Sequence, residues 1–290
     1  MTPTLDYLLL LIPVALSTVL WPINRKVMQN GGRGEVFGLW ISATTAAITG
    51  VLSVIYHQSF ASVSLVGAGL VVGFAFAIGF CVIINTCLKI GPTGPTAAAN
   101  NMGLVGPVVL GLFWPRPTVL TAAAAGGLGL VALSLVGLGF GASGSSRQTV
   151  TRRWVSLVLV GWALAAVSMA GQYAGSVLNP DRPLAQVAAF YFFAMLFLLP
   201  FQFRRGRTWF LKIEFGYGLL IGVSQAVSSF LTLVILQRLS PKIVFPVTIL
   251  SPLILILVLS AVVYKEKMGW KVWAACAGGI LGLAVLTLTR

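Results

Sequence analysis

Long apolar stretches alternate along the whole chain with short breaks that are polar or contain proline and glycine. Each stretch holds roughly 20 mostly apolar residues, the length that a helix needs to cross the hydrocarbon core of a bilayer. Runs such as SPLILILVLSAVVY lack the alternation at every second residue that barrel strands require. We therefore predict an all-α integral membrane protein. Its ten transmembrane helices are predicted over residues 5–24, 36–56, 64–88, 93–113, 118–141, 154–178, 184–203, 210–237, 243–264 and 269–288.

The composition supports this assignment, since 58% of the 290 residues are hydrophobic and only 8% are charged, too few to cover a soluble core. The net charge of +14 comes from cations in the breaks and not along one soluble face, so no nucleic-acid partner is expected. Most Lys and Arg residues lie in one set of alternate connections, beginning with Arg25, Lys26 and Arg33. By the positive-inside rule this side is cytoplasmic, which predicts a multi-pass cell (inner or plasma) membrane protein with both termini non-cytoplasmic.

One apolar motif framed by glycines occurs twice, as GLVVG at 69–73 and GLLIG at 218–222. The same offset of 149 residues aligns Lys89 with Arg238, just after the third and eighth predicted helices. We therefore predict two five-helix repeats. The predicted units are a first repeat at 1–142, a basic linker at 143–153 and a second repeat at 154–290. Because five is odd, the second repeat enters the membrane in the opposite sense, which makes the repeats inverted.

A stripe of polar residues runs along one face of the eighth predicted helix: Gln225, Ser228, Ser229 and Thr232 fall at i, i+3, i+4 and i+7. Amides and hydroxyls without partners cost several kcal/mol in hydrocarbon, so this face must meet something other than lipid. The 149-residue offset places aromatic residues, including Phe76, at the matching positions of the third helix. The pattern predicts a central cavity that is polar in one repeat and aromatic in the other.

Further amides and rings on the first, third, fourth and sixth helices extend the predicted pocket, with amides for hydrogen bonds and rings for stacking. The predicted substrate-binding residues are Trp21, Asn24, Phe76, Phe80, Asn85, Asn101, Gln172, Tyr173, Gln225, Ser228, Ser229 and Thr232. The alternative for each polar residue is a role in joining helices, worth about 0.6 kcal/mol per pair. The stripe on the eighth helix favours the cavity, because one helix contact does not need four polar groups.

The ionisable residues exclude several mechanisms. The acidic residues all fall at or beyond predicted helix ends: Asp6, Glu35, Asp181, Glu214 and Glu266. No carboxylate therefore lies at the middle of the membrane to couple a proton or to bind a cationic drug, and we expect a neutral or zwitterionic substrate. The sole histidine, His57, has no carboxylate near it in sequence, and the three cysteines lie in apolar stretches. We expect no enzymatic activity, no metal and no cofactor.

Two segments carry a resemblance to a known family. They are LKIGPTGPTAAANNMGLVGP across the fourth helix and LQRLSPKIVFPVTILSPLILILVLSAVVYKEKMG across the ninth. With ten short-looped helices in two halves, they resemble the EamA-like permeases of the drug/metabolite transporter superfamily. The basic connection NRKVMQNGGRG follows the first helix, whereas YHQSFASVS after the second has no Lys or Arg. That placement is more similar to the rhamnose and glucose-uptake branch.

The resemblance and the predicted pocket imply an alternating-access transporter for a small neutral or zwitterionic polar metabolite, sugar-like or amino-acid-like. The alternative is a translocase (flippase) for a lipid or lipid-linked sugar, with the same fold and a groove open sideways to the bilayer. The expected partners are a small-molecule substrate and the lipid bilayer. Monomer and homodimer both stay open.

Overall fold

The computed structural model describes residues 3–90, 93–114, 121–141, 151–203, 211–263 and 269–288. These residues form ten helices, numbered here in chain order, and each corresponds to one predicted span. They are α1 (Pro3–Gln29), α2 (Gly34–Ile55), α3 (Val63–Ile90), α4 (93–113), α5 (Ala122–Gly141), α6 (Arg152–Leu178), α7 (Pro183–Phe203), α8 (Lys212–Leu236), α9 (Pro241–Val263) and α10 (Trp270–Leu288). Most of the predicted linker, at 143–150, and the turn at 264–268 lie outside the described residues.

Seven of these helices are long and apolar enough to cross a membrane: α1, α2, α3, α6, α7, α8 and α10. The other three, α4, α5 and α9, contain shorter apolar segments at Ala98–Phe113, Ala122–Leu138 and Pro241–Leu255. The described residues therefore form an integral membrane helical protein, as predicted.

Two helices of the first half depart from regular α-helical geometry near their middles. In α3, residues Ala75–Ile84 form a π-helix between α-helical ends. In α4, a 3₁₀ turn at Met102–Leu104 separates two short α-helices. The matching helices of the second half, α8 and α9, are continuous α-helices over their described residues. Irregular helical segments change which side chains share a face, so the two halves present different surfaces to the interior.

The helices pack in a pattern that repeats when five is added to each helix number. Helix α2 packs against α7 and α8, and α7 packs against α2 and α3. Helix α1 packs against α8 and α9, while α6 packs against α3 and α4. Helices α5 and α10 pack against each other. This exchange of partners is what two related five-helix units produce.

Hydrogen bonds near the helix ends give the direction of the two halves. Arg33, just before α2, bonds Glu214 in the first turn of α8, and Lys89 near the end of α3 donates to the backbone between α1 and α2. We call this end of the bundle the basic face. At the opposite face, Gln58 after α2 accepts from the N–H of Leu184 in the first turn of α7. Helices α2 and α7 therefore begin at opposite faces, and the two halves are inverted as predicted.

A salt bridge joins the two halves at the basic face. Glu214 is fully buried, and its carboxylate accepts from Arg33 through the backbone N–H at 2.7 Å and through Nε and Nη2 at 3.1 Å each. The backbone N–H of Leu211 also donates to this carboxylate, at 2.8 Å. The hydrogen bonds from Arg33 to Glu214 raise the pKa of the guanidinium. Arg33 therefore stays charged. The sequence pattern placed Glu214 near a helix end and did not predict this partner.

Glycines allow close approach at the two matching interfaces. On α8, Gly218 and Gly222 face Trp40 and Thr44 of α2. On α3, Gly69 faces α7 near Ala189, and Gly73, one turn further along, faces the α7 backbone. Because each glycine faces atoms of the neighbouring helix at the place where a Cβ would stand, these interfaces have no room for larger side chains.

A third pair of glycines four residues apart, Gly278 and Gly282 on α10, does not share one helix contact. Gly278 has open space where a Cβ would stand, whereas the adjacent Gly279 faces Ser134 and Leu250. Gly282 lies against the backbone of Gly127 on α5. The contact with α5 and α9 therefore uses Gly279 and Gly282, and Gly278 is available as a neutral position.

We expect Gly222→Ala to lower the free energy of unfolding by about 1–3 kcal/mol, the usual cost of overpacking. The added Cβ would lie 2.5 Å from the Thr44 Cβ and 3.0 Å from the Ile41 carbonyl oxygen. Gly278→Ala is the matched control, because nothing lies within 4 Å of its Cβ position and alanine favours the helix. Unfolding of both variants in detergent measures the difference, and equal stability would contradict the proposed packing.

Candidate functional site

A polar cavity of about 200 Å³ lies where the two halves meet. Residues from α1, α2, α3 and α4 of the first half and from α6, α7, α8 and α9 of the second contribute to its wall. The lining residues are Ser17, Leu20, Ile41, Phe76, Phe80, Asn100, Asn101, Ala165, Ser168, Met169, Gln172, Tyr191, Gln225, Ser228, Ser229, Thr232, Phe245, Thr248, Ile249 and Pro252. These side chains are all uncharged, so the wall recognises a solute through hydrogen bonds and apolar contact.

Most of the predicted pocket residues line this cavity. The four members of the α8 stripe all do so, as predicted from their shared helical face. The other predicted residues in the wall are Phe76, Phe80, Asn101 and Gln172. The sequence pattern thus identified the walls that α3, α4, α6 and α8 provide, while substrate binding by these residues stays a prediction.

The structure places three predicted residues outside the cavity wall. Asn85 is buried and donates to the carbonyl oxygen of Cys81 on its own helix at 3.1 Å. The buried Tyr173 donates to the carbonyl oxygen of Trp114 at 3.5 Å. Asn24 is fully buried, away from the cavity, and neither of its amide atoms has a partner among the described residues. The side chain of Trp21, the remaining predicted residue, lies outside the described part of the structure.

Some lining residues were absent from the predicted set. Ser17, Asn100 and Ser168 lie within one or two turns of predicted residues and share their faces. Tyr191 on α7 and Thr248 on α9 are different, because no repeat or stripe pointed to them. A signal existed for Tyr191, since it is the single hydroxyl in the aromatic run FYFF. Because phenylalanines flank Tyr191 in the sequence, no polar pattern indicated that it lines the cavity.

Aromatic rings form one side of the cavity. The Phe76 and Phe80 rings stack with centroids 5.5 Å apart and an interplanar angle of 19°. The edge-to-face contact of Phe76 with Tyr191, at 5.4 Å, extends this surface from α3 to α7. Both phenylalanines lie in the π-helical segment of α3, which sets the angle at which they enter the cavity.

Hydrogen-bonding groups form another side, and part of their capacity is unused. Gln225 donates through Nε2 to the Tyr191 hydroxyl oxygen at 2.9 Å, and that oxygen lies 3.2 Å from Ser229 Oγ. Thr232 donates to the carbonyl oxygen of Ser228 at 2.8 Å. The buried Nδ2 of Asn101 has no partner among the described residues. A buried donor without a partner calls for an explanation, and a bound solute or water provides one.

Comparison with known proteins finds a similarity in the second half of the chain. Residues 152–288 match the sequence profile described as the EamA-like transporter family. This match spans 137 of the 290 residues, so it shows what the second half is similar to.

Similarity to known structures covers the other half as well. One solved structure, described only as the crystal structure of a protein, has a TM-score of 0.76 to this chain. The match covers 99% of this chain and 98% of that chain at 17% sequence identity, so it shows a shared fold alone. No curated protein matches the chain.

We expect Asn101→Leu to leave the stability of the protein without solute unchanged or higher, because it removes a buried donor that has no partner. Asn179→Leu is the matched control: this asparagine is equally buried, but its Oδ1 accepts from Ser62 and Ser64 at 3.2 and 3.0 Å. The control should lose about 1–3 kcal/mol, since two hydroxyls lose their acceptor. Thermal unfolding in detergent compares the two, and a larger loss for Asn101→Leu would show that its amide has a structural role.

Proposed function

We propose that this protein is an alternating-access carrier for a small uncharged or zwitterionic polar metabolite, which binds in the central cavity. The observation that carries the proposal is the composition of the cavity wall. Eight helices from two inverted halves contribute to it, and it combines stacked rings with hydrogen-bonding groups whose capacity is partly unused. A site at the interface of inverted repeats can be exposed to either side when the two halves rearrange.

The described residues that line the cavity are uncharged, which limits the charge that a bound solute can carry. Moving a net charge from water into this wall would cost hydration free energy that its amides and hydroxyls recover only in part. The buried carboxylate of Glu214 bonds Arg33 at the basic face and does not line the cavity. We therefore expect metal ions and cationic drugs to be poor substrates.

A second candidate, a translocase for a lipid or lipid-linked sugar, has one observation in its favour. An apolar groove of about 560 Å³ lies between α2, α3 and α7. Alanines of α2 and two phenylalanines of α7, Phe192 and Phe193, contribute to its wall, and such a surface suits an acyl chain. The groove and the polar cavity share no lining residue. A lipid with its head group in the cavity would need a connection between them, so the carrier is the better supported function.

The orientation of the chain in the membrane is also part of this proposal. We propose that the basic face is cytoplasmic and that both termini lie on the other side of the membrane. The placement nearer the rhamnose and glucose-uptake branch likewise stays a prediction from the basic connection after α1. A reporter fused to the C-terminus tests the orientation, because a cytoplasmic signal would reverse it.

Uptake into proteoliposomes tests the carrier function. Solutes are first selected by the increase in melting temperature that they cause in the purified protein, since a ligand of the folded state stabilises it by mass action. We expect uptake of the selected solute to fall about tenfold in Gln225→Ala, which removes a wall amide. Gly278→Ala should transport normally. Equal uptake by Gln225→Ala and the control would discard the site, and lipid translocation without solute uptake would favour the second candidate.

A further inference from the structure

We propose that the cavity binds an uncharged solute that carries hydroxyl groups, and that Tyr191 is the residue that positions the binding groups. This inference rests on the proposed function, in which the cavity is the substrate site. It is narrower, because the proposed function also admits zwitterions.

The first bond has only one possible direction. The amide nitrogen of Gln225 carries hydrogens and no lone pair to offer, so the Tyr191 oxygen is the acceptor in their 2.9 Å contact. The carbonyl end of the same amide has no other partner among the described residues and belongs to a side chain of the cavity wall. Tyr191 thereby orients Gln225 so that Oε1 is available as an acceptor.

The second contact adds a donor. The Tyr191 oxygen lies 3.2 Å from Ser229 Oγ, and either hydroxyl can be the donor in this contact. Whichever of the two donates, the hydroxyl hydrogen of the other is left for the cavity. Residues 225 and 229 are one helical turn apart, about 6 Å along α8. One wall of the cavity therefore presents an acceptor and a donor at neighbouring positions, both fixed by the same tyrosine.

The surrounding groups continue this mixture of donors and acceptors. Asn101 adds a donor from α4 through its unpartnered Nδ2. Thr232 uses its hydrogen on the Ser228 carbonyl, so its oxygen is left to accept. A hydroxyl group donates and accepts through one oxygen atom and can satisfy either kind of neighbour. A carboxylate only accepts and an ammonium group only donates, so a zwitterion matches this wall less well and also loses the hydration of two charges.

The class of solute is tested with named probes on the purified full-length protein. We expect D-glucose, D-mannitol or myo-inositol to raise the melting temperature and to enter proteoliposomes, and L-serine and L-glutamine to do neither. Uptake of the amino acids without uptake of the hydroxyl compounds would overturn this inference and leave the carrier function standing. Failure of all five probes in both assays would overturn the inference, and the proposed function would fail only if a wider solute screen also gave no uptake.

The role of Tyr191 is tested by Tyr191→Phe, which keeps the ring and removes the hydroxyl. We expect the half-saturating concentration of the best hydroxyl probe to rise about three- to tenfold, corresponding to the loss of a hydrogen bond. Selectivity is the measurement that a purely structural role of Tyr191 would leave unchanged. The native protein should bind monodeoxy analogues of the probe more weakly than the probe itself. The variant should bind the analogues and the probe equally well. Tyr217→Phe is the control, since its hydroxyl accepts from Lys26 at the basic face. Unchanged selectivity in Tyr191→Phe would overturn the positioning role.

The contacts between the halves at the two faces carry a second inference, which also assumes the carrier function. We infer that the basic face is held closed more firmly than the opposite face. At the basic face, the connection between α1 and α2 bonds the start of α8 through Arg33 and Glu214. The repeat relates these elements to the connection between α6 and α7 and to the start of α3. There the contact is neutral, because Asn179 accepts from Ser62 and Ser64.

The difference between the two contacts is one of charge. Hydrogen bonds in which the donor or the acceptor is ionised are roughly twice as strong as those between neutral groups. Opening the basic face would also separate a fully buried carboxylate from its cation. The contacts of Asn179 with Ser62 and Ser64, and of Gln58 with the backbone N–H groups of Leu184 and Ala185, join neutral groups at the opposite face. The carrier without solute should therefore expose its cavity mainly at the opposite face.

Labelling of a single cysteine measures which face is open. Cys81, Cys87 and Cys276 are replaced by alanine, and Ser228→Cys places a thiol in the cavity wall. A membrane-impermeant maleimide is then added to vesicles of each orientation. We expect faster labelling from the opposite face, and a several-fold increase from the basic face in the double variant Arg33→Gln with Glu214→Gln, which leaves no unpaired charge.

Asn179→Ala provides the matched change at the opposite face and should increase labelling from that side. An unchanged ratio in the double glutamine variant, with normal elution in gel filtration, would overturn the inference. A thiol that is unreactive from both faces in every variant would overturn it as well and would remove support for the cavity as the transport site.

Discussion

Hydrocarbon offers no partner for a hydrogen bond, and this constraint accounts for most of the structure. Every polar side chain in the membrane-spanning part must find a partner inside the protein or face water. The described residues meet the demand by short local bonds, such as Thr49 to the carbonyl of Thr45, and by bonds between helices, such as Thr45 to the carbonyl of Gly222. Unused bonding capacity occurs at Asn24, outside the cavity, and at Asn101 in the cavity wall, where a solute or water can reach it.

The inverted repeat provides two copies of the same arrangement of helices, and the two copies differ in chemistry. Helix α3 carries rings on a π-helical segment, whereas the matching part of α8 is a regular helix with amides and hydroxyls. The connections at the two faces differ in the same way, one with an ion pair and the other with an asparagine and two serines. In the proposed carrier, symmetry of the fold would allow both faces to open, and these residues would set which conformation is favoured.

Close packing gives the halves defined surfaces to move against. Glycines at Gly69 and Gly218 bring α3 and α8 against the matching helices α7 and α2. Packed surfaces of this kind have discrete arrangements and do not deform continuously, so a rearrangement occurs as a shift between states. In the proposed carrier, such a shift would break the polar contacts at the helix ends and change solvent access to the cavity between the halves.

The amino-acid sequence by itself determined the class, the ten spans, the inversion and the α8 stripe, because hydrophobic length, repeat offset and helical period are properties of a continuous segment. Only the tertiary structure decided which side chains face the cavity and which contact other helices. Asn85 and Tyr173 share the chemistry of the pocket residues but bond backbone carbonyls elsewhere, while Tyr191 enters the wall from a run that reads as a lipid-facing helix. Helix rotation depends on contacts between residues far apart in the chain, such as Arg33 with Glu214, and no local pattern encodes such a pair.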